Sequence, residues 1–241
     1  MIKAELDHVA VAVAFRGIAR DYIVNELGGG SVASGRRSGM TIDQFRFSLG
    51  TKLEVISPDP DHESRSVLES FLLKHGSAIH HVTLLVDSVE DAVDELRTVG
   101  IQPAGISLSD PRYQEAFVLP RDAAGVMVQL SWKDVDDEGW ARRYGHQPTS
   151  PRSNCPDFIG ARLSHPSPED AKVQFERLGG TIEERDGSLV CRWGTGLLEI
   201  EIIPGELRAT EELKFDGFID YASCFSDDCK IVRDTRKKTW Y

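Results

Sequence analysis

The chain is short of cysteine, short of basic residues relative to acidic ones, and without a long apolar run, and each shortage excludes a class of protein. Its four cysteines, Cys155, Cys191, Cys224 and Cys229, are too few and too scattered for a disulfide framework in 241 residues. Cys224 and Cys229 are separated by Phe-Ser-Asp-Asp, not by the two residues of a thiolate zinc knuckle. Lys and Arg number 28 against 39 Asp and Glu, and a net charge of -11 gives a phosphate backbone little reason to approach, so nucleic acid is excluded as an expected partner. A membrane is excluded likewise, since nothing approaches the roughly eighteen apolar residues of a spanning helix. The opening MIKAELDHVAVAV lacks the basic start, longer apolar stretch and small-residue cleavage site of a secretory signal, and the expected location is cytoplasmic. No serine or cysteine sits in a recognisable nucleophile motif. Gly28-Gly-Gly30 follows a helical pattern instead of opening one, which makes it a helix stop and not a phosphate loop.

What the chain does contain is an internal repeat. Leu6-Asp-His-Val-Ala-Val-Ala-Val13 is answered by Ile79-His-His-Val-Thr-Leu-Leu-Val86, with histidine third and valine fourth and eighth. Both segments are short and β-branched, as buried strands should be. Each runs into a helical pattern, Ile18, Tyr22, Ile23 and Leu27 in the first and Val89, Val93 and Leu96 in the second. Ser88 with Asp91 is a capping box, and Gly28 and Gly100 stand where helices stop. Strand-like segments follow, Met40 to Leu49 and Lys52 to Ser57 in the first unit, Glu115 to Leu119 and Val126 to Trp132 in the second. The expected architecture is therefore α+β, a βαβββ module used twice over residues 1–133.

Between the modules, Val67, Leu68, Phe71 and Leu72 mark a linking helix that stops at Gly76. After Trp132 the polar stretch to Pro156 reads as a linker with a short helical piece, and its Asp134, Asp136, Asp137 and Glu138 as a solvated acidic run. A weaker third copy is expected over residues 157–204: a strand from Phe158 to Ser164, a helix opened by Ser167-Pro168, and a strand from Leu197 to Ile203. It carries no histidine matching His8 or His81 and is read as degenerate. Residues 205–241 are expected to be a tail or lid.

Strand alternation sorts the polar residues by face. His8, Ala10 and Ala12 share one face of the first strand while Val9, Val11 and Val13 share the other; His81 and Thr83 repeat the arrangement. Glu54 lies opposite Leu53 and Val55, and Gln129 opposite Val128 and Leu130. His8 and Glu54 are 46 positions apart and His81 and Gln129 are 48 apart, so the repeat carries all four in register. Two imidazoles, a carboxylate and an amide oxygen suit a borderline divalent ion such as zinc, iron, cobalt, nickel or manganese. His80, on the face opposite His81, is read as a capping or packing residue. Arg46, Arg112, Tyr113 and Arg121 fall where they could reach an anionic substrate.

With these motifs in hand, residues 1 to about 133 resemble the vicinal oxygen chelate superfamily, which includes glyoxalase I, methylmalonyl-CoA epimerase and the extradiol dioxygenases. The resemblance rests on LDHVAVAV, TKLEVISP, SAIHHVTLLV and GVMVQLSW, and the linking helix HESRSVLESFLLKHG before IHHV looks most like the epimerase branch. It implies a cupped mixed sheet with a metal on its concave side, a small-molecule substrate and a homodimer. The implied chemistry is transfer of a proton next to a carbonyl, in an isomerase, epimerase or lyase. Members of this kind carry a glutamate at the last ligand position, where this chain has Gln129; the carboxylate stands at Glu54 instead, which becomes ligand and candidate base. Two alternatives stay open: His8, His81 and Glu54 as the two-histidine, one-carboxylate triad of a non-haem Fe(II) dioxygenase, and a metal-free binding or resistance protein.

Overall fold

The β-branched start of each repeat does form a strand. A computed structural model of the chain describes residues 1–63, 66–208, 211–215 and 218–221. In it β1 spans Ala4–Ala12, followed by α1 at Arg16–Asp21, β2 at Gly30–Arg37, β3 at Met40–Arg46 and β4 at Lys52–Pro58. The second repeat runs through β5 at Ala78–Val86, α3 at Val89–Thr98, β6 at Ala104–Ser107, β7 at Tyr113–Val118 and β8 at Met127–Lys133, with α2 at Val67–His75 between the two. These strands line up as β2-β3-β4-β1-β5-β8-β7-β6, two βαβββ modules in mirrored order. β8 returns parallel to β5, with Thr83 beside Gln129 in register. That pairing is what a crossover through α3 and two further strands produces.

The third copy repeats the pattern. β9 at Phe158–His165, α5 at Pro168–Arg177, β10 at Thr181–Arg185, β11 at Ser188–Arg192 and β12 at Glu199–Pro204 form a second sheet, with β12 parallel to β9. Its order is β10-β11-β12-β9-β13-β14, where β13 is Glu211–Phe215 and β14 is Phe218–Tyr221. Those two strands occupy part of the expected tail or lid; the remainder from residue 222 on, with Cys224 and Cys229, lies outside the described residues. Among the described residues no helix is long and apolar enough to cross a membrane.

The described residues divide into two compact units. One contains Met1–Val9, His80–Val135 and Gly160–Glu211. In it α3 lies on β7 and β8, burying Val89, Val93 and Leu96, and α5 lies on β10 to β12, where Phe175 meets Trp193 edge-on at 5.3 Å. The Trp193 indole donates to the Leu178 carbonyl at 2.8 Å, so its polar edge is not buried unsatisfied. The other contains Ala10–Ile79, Asp136–Ile159 and the described residues from Glu212 onward. Here Phe47, Phe158 and Phe215 form an aromatic cluster with ring separations of 5.1 to 5.6 Å.

Three local features depart from the expectations. The first helix is α-helical only to Asp21 and widens into a π-helix over Tyr22–Leu27, ended by Gly28 at φ 78°. The Arg152 side chain donates to the carbonyls of Val24 and Asn25 in that turn. β2 was not foreseen because its sequence, GSVASGRR, offers little apolar signal; it is a sheet-edge strand with two arginines at its end, held to β3 through a turn with positive φ at Ser38 and Gly39. The third concerns the linker acids. α4 spans Asp137–Arg143, Asp136 caps it by accepting from Gly139 N, Asp137 binds Lys52 at 2.9 Å, and Glu138 binds Arg46 at 2.7 Å. They are anchors, not a solvated run.

α2 shows how the linking helix is fixed. Ser66 accepts from Glu69 N while Glu69 accepts from Ser66 N, a complete capping box, and Leu68 packs into a cluster with Ala12 and Ile56, joined by Met40, Ile42, Phe71 and Leu72. Ser66→Ala should therefore cost about 1 kcal/mol, read as a lower urea midpoint with an unchanged slope.

Candidate metal centre

Alternation along β1 and β5 puts His8, His81 and Thr83 on faces that the strands bury, and the structure buries each of them. Glu54 is buried on β4 and accepts from the Gln44 amide at 2.8 Å, the two being register partners across β3 and β4. His8 and His81, both in the unit that holds Met1–Val9, face each other with ring centroids 5.9 Å apart, and each offers a ring nitrogen. Burial pushes the His81 imidazole well below its ordinary pKa, and His80 and His8 act in the same direction. A neutral imidazole is the form that binds a metal. Two buried imidazoles and a buried carboxylate are donors whose chemistry suits a borderline divalent ion.

A hydrogen-bonded row crosses the second module beside this group. The His8 Nδ1 lies 2.7 Å from Asp7 Oδ2, and its Nε2 lies 3.0 Å from Thr83 Oγ1. Thr83 in turn donates to Gln129 Oε1 at 2.8 Å, while Gln129 Nε2 donates to Glu115 Oε2 at 2.8 Å and to the Tyr113 hydroxyl at 3.0 Å. Gln129 therefore sits in the row where the sequence places it, with its amide oxygen engaged by Thr83.

Glu115 explains why the repeat carries an amide there. A carboxylate at position 129 would stand hydrogen-bond close to the carboxylate of Glu115, and both could not remain ionised cheaply. In the first module the amide is on β3, as Gln44, and the acid on β4; in the second the acid is on β7 and the amide on β8. Sequence reading singled out neither Glu115 nor Asp7. Alternation could have found Glu115, which shares a face with Tyr113, but gave no reason to prefer it to other strand acids.

His80 is where the structure differs from the alternation argument. Its Nδ1 comes to 2.9 Å from His81 Nδ1 although the two side chains leave the strand on opposite faces. The arginines expected to reach an anionic substrate are engaged close by: Arg46 with Asp137 and Glu138, Arg112 with Asp110, Arg121 with Asp122. Tyr113 belongs to the row.

Comparison with known proteins follows the same residues. Positions 7–117 match the sequence family described as Glyoxalase/Bleomycin resistance protein/Dioxygenase superfamily. The Bacillus subtilis (strain 168) protein YqjC, described as uncharacterized, is 29% identical over 133 residues, 52% of this chain and 89% of that protein. Among solved structures, the hypothetical protein BH1468 from Bacillus halodurans C-125 is 25% identical with a TM-score of 0.49, covering 55% of this chain and 96% of that one. Methylmalonyl-CoA epimerase from Mycobacterium tuberculosis is 24% identical with a TM-score of 0.46, covering 53% and 86%.

Proposed function

We propose, from the match of residues 7–117 to the family described as Glyoxalase/Bleomycin resistance protein/Dioxygenase superfamily, that this chain is a divalent-metal-dependent isomerase, epimerase or lyase that moves a proton next to a carbonyl. The observation that carries the reading is the pair of buried imidazoles of His8 and His81, with ring centroids 5.9 Å apart, together with the buried carboxylate of Glu54 on β4. These three residues would hold the ion, and Gln129 joins them only if its oxygen gives up the hydrogen bond from Thr83. The bound ion supplies Lewis acidity to the substrate's carbonyl oxygen, which makes the neighbouring C–H acidic. Glu54 takes and returns the proton at that carbon, with Gln44 fixing one carboxylate oxygen. Burial of the group keeps bulk water from competing for the proton. The substrate is a small oxygenated carbonyl compound.

The same two-histidine, one-carboxylate set favours a second reading, a non-haem Fe(II) dioxygenase. Elemental mass spectrometry on the untagged protein, and on His8→Ala and His81→Ala, tests both. We expect about one ion per chain in the wild type and loss of most of it in either variant. Zinc, cobalt, nickel or manganese together with deuterium uptake from D2O into methylmalonyl-CoA, or into a panel of α-hydroxy and β-keto carbonyl compounds, supports proton transfer. Iron with oxygen consumption supports the dioxygenase. No ion after reconstitution with each metal overturns both and leaves a small-molecule binding protein.

A further inference from the structure

Two strand histidines do not become metal ligands by proximity alone: each must present a lone pair toward the ion, and that is settled by what its other ring nitrogen meets. In this chain the residue immediately before each histidine makes that contact. Asp7 Oδ2 lies 2.7 Å from His8 Nδ1, and His80 Nδ1 lies 2.9 Å from His81 Nδ1. Asp7 and His80 occupy the same place in the two copies of the repeat, LDHV and IHHV. The Asp7 and His8 side chains are also both buried, at 9% and 6% exposure, where a carboxylate and an imidazole are not drawn apart by water.

We infer that Asp7 and His80 are positioning residues that fix His8 and His81 as Nε2 ligands, and that they do so unequally. An ionised Asp7 has no proton to give, so the short contact puts the proton on His8 Nδ1 and leaves Nε2 as the donor atom. Nε2 faces Thr83 Oγ1, whose one proton goes to Gln129 Oε1, so Nε2 donates to Thr83 there and must release that proton and leave Thr83 before it can take an ion. At His81 the two facing Nδ1 atoms share one proton. His81 ligates through Nε2 when its own Nδ1 donates to His80. His8 is thereby backed by a carboxylate and is the more electron-rich ligand, while His81 is backed by the imidazole of His80. The repeat supplies the geometry twice, and the difference between aspartate and histidine makes the two ligands distinct.

This inference rests on the metal centre proposed above and is separable from it. Cobalt(II) alone is the probe. Its affinity is measured by competition with a chromophoric chelator in the wild type, Asp7→Asn, Asp7→Leu and His80→Gln, and the exchangeable Nδ1–H signals of the ligand rings are followed by paramagnetic NMR. The wild type should show two such signals. Asp7→Leu should weaken cobalt roughly 100-fold and shift or remove one signal only, and His80→Gln should weaken it roughly tenfold and move the other. Asp7→Asn keeps the shape and an acceptor oxygen, so it should fold as the wild type does, hold both signals and lose about tenfold in affinity with the charge. A structural role alone would lower the melting temperature of the metal-free protein without selecting one ring signal. Wild-type affinity and both signals unchanged in Asp7→Leu and Asp7→Asn would overturn the inference while leaving the metal centre standing. Failure of the wild type to bind cobalt would overturn the centre and this inference with it.

Discussion

Glu54→Gln is expected to abolish most proton transfer while leaving the fold intact, with kcat in the D2O exchange assay falling about 10²- to 10⁴-fold. The amide has the shape of the acid and an oxygen that can still accept from Gln44, now at 2.8 Å from the carboxylate, so packing around this buried position is preserved. What it lacks is the ability to take a proton at neutral pH. The same change removes one negative charge from the ligand set, so metal affinity falls too. Saturating metal separates the two effects, because a ligand defect is restored by added ion and a base defect is not. Turnover restored to the wild-type level by added metal would show that Glu54 only holds the ion, and would move the search for a base to Glu115, the acid that accepts from the Gln129 amide.

Gly160→Ala should be the most destabilising addition of a single methyl group in the second sheet. Gly160 sits at φ 130°, and an added Cβ would lie 1.9 Å from the carbonyl oxygen of Glu199, its register partner on β12. The obstacle is backbone in a paired strand, so no side-chain rotation relieves it. The conformational strain alone is of order 1–3 kcal/mol, and with displacement of the strand the total should exceed about 3 kcal/mol, a fall in melting temperature of roughly 6–12 °C for a protein of this size. Gly187→Ala is the control. Gly187 also has positive φ, 81°, but an added Cβ there meets nothing within 4 Å, so only the conformational part of about 1 kcal/mol remains. A loss at Gly160 no greater than at Gly187 would sink the argument.

The glycine also shows why the third copy is degenerate in more than sequence. On β9 the backbone beside Glu199 has no room for a side chain, and Glu199 itself is bound by Arg185 and Arg192. The histidine the strand does carry, His165, instead meets the Ser167 backbone through Nδ1 at the start of α5. The module keeps the fold and gives up the ligand positions.

Much of this was legible in the sequence because it is periodic or repeated. The two-residue period of a strand separates His8 from Val9 and Glu54 from Val55, and the repeat brings His81 and Gln129 to matching positions, so the faces follow from counting. Helix signals worked where they are local: Ser88 caps its helix by accepting from Asp91 N, and Gly28, Gly76 and Gly100 have the positive φ of helix stops. β2 was invisible because an edge strand needs partners for its backbone more than apolar side chains.

The sequence alone determined the α+β class, the duplicated module and its third copy, and it proposed His8, Glu54, His81 and Gln129 as the metal site, since each depends on spacing along one chain. Only the tertiary structure decided which neighbour each of those groups meets. That Asp7 reaches His8, that Glu115 holds the Gln129 amide, that Asp137 and Glu138 anchor α4 on Lys52 and Arg46, and that the Gly160 backbone touches Glu199 all depend on side-chain direction and strand register. Hydrogen bonds and steric contacts act over about 3 Å, a distance that spacing along the chain does not specify until the strands are paired.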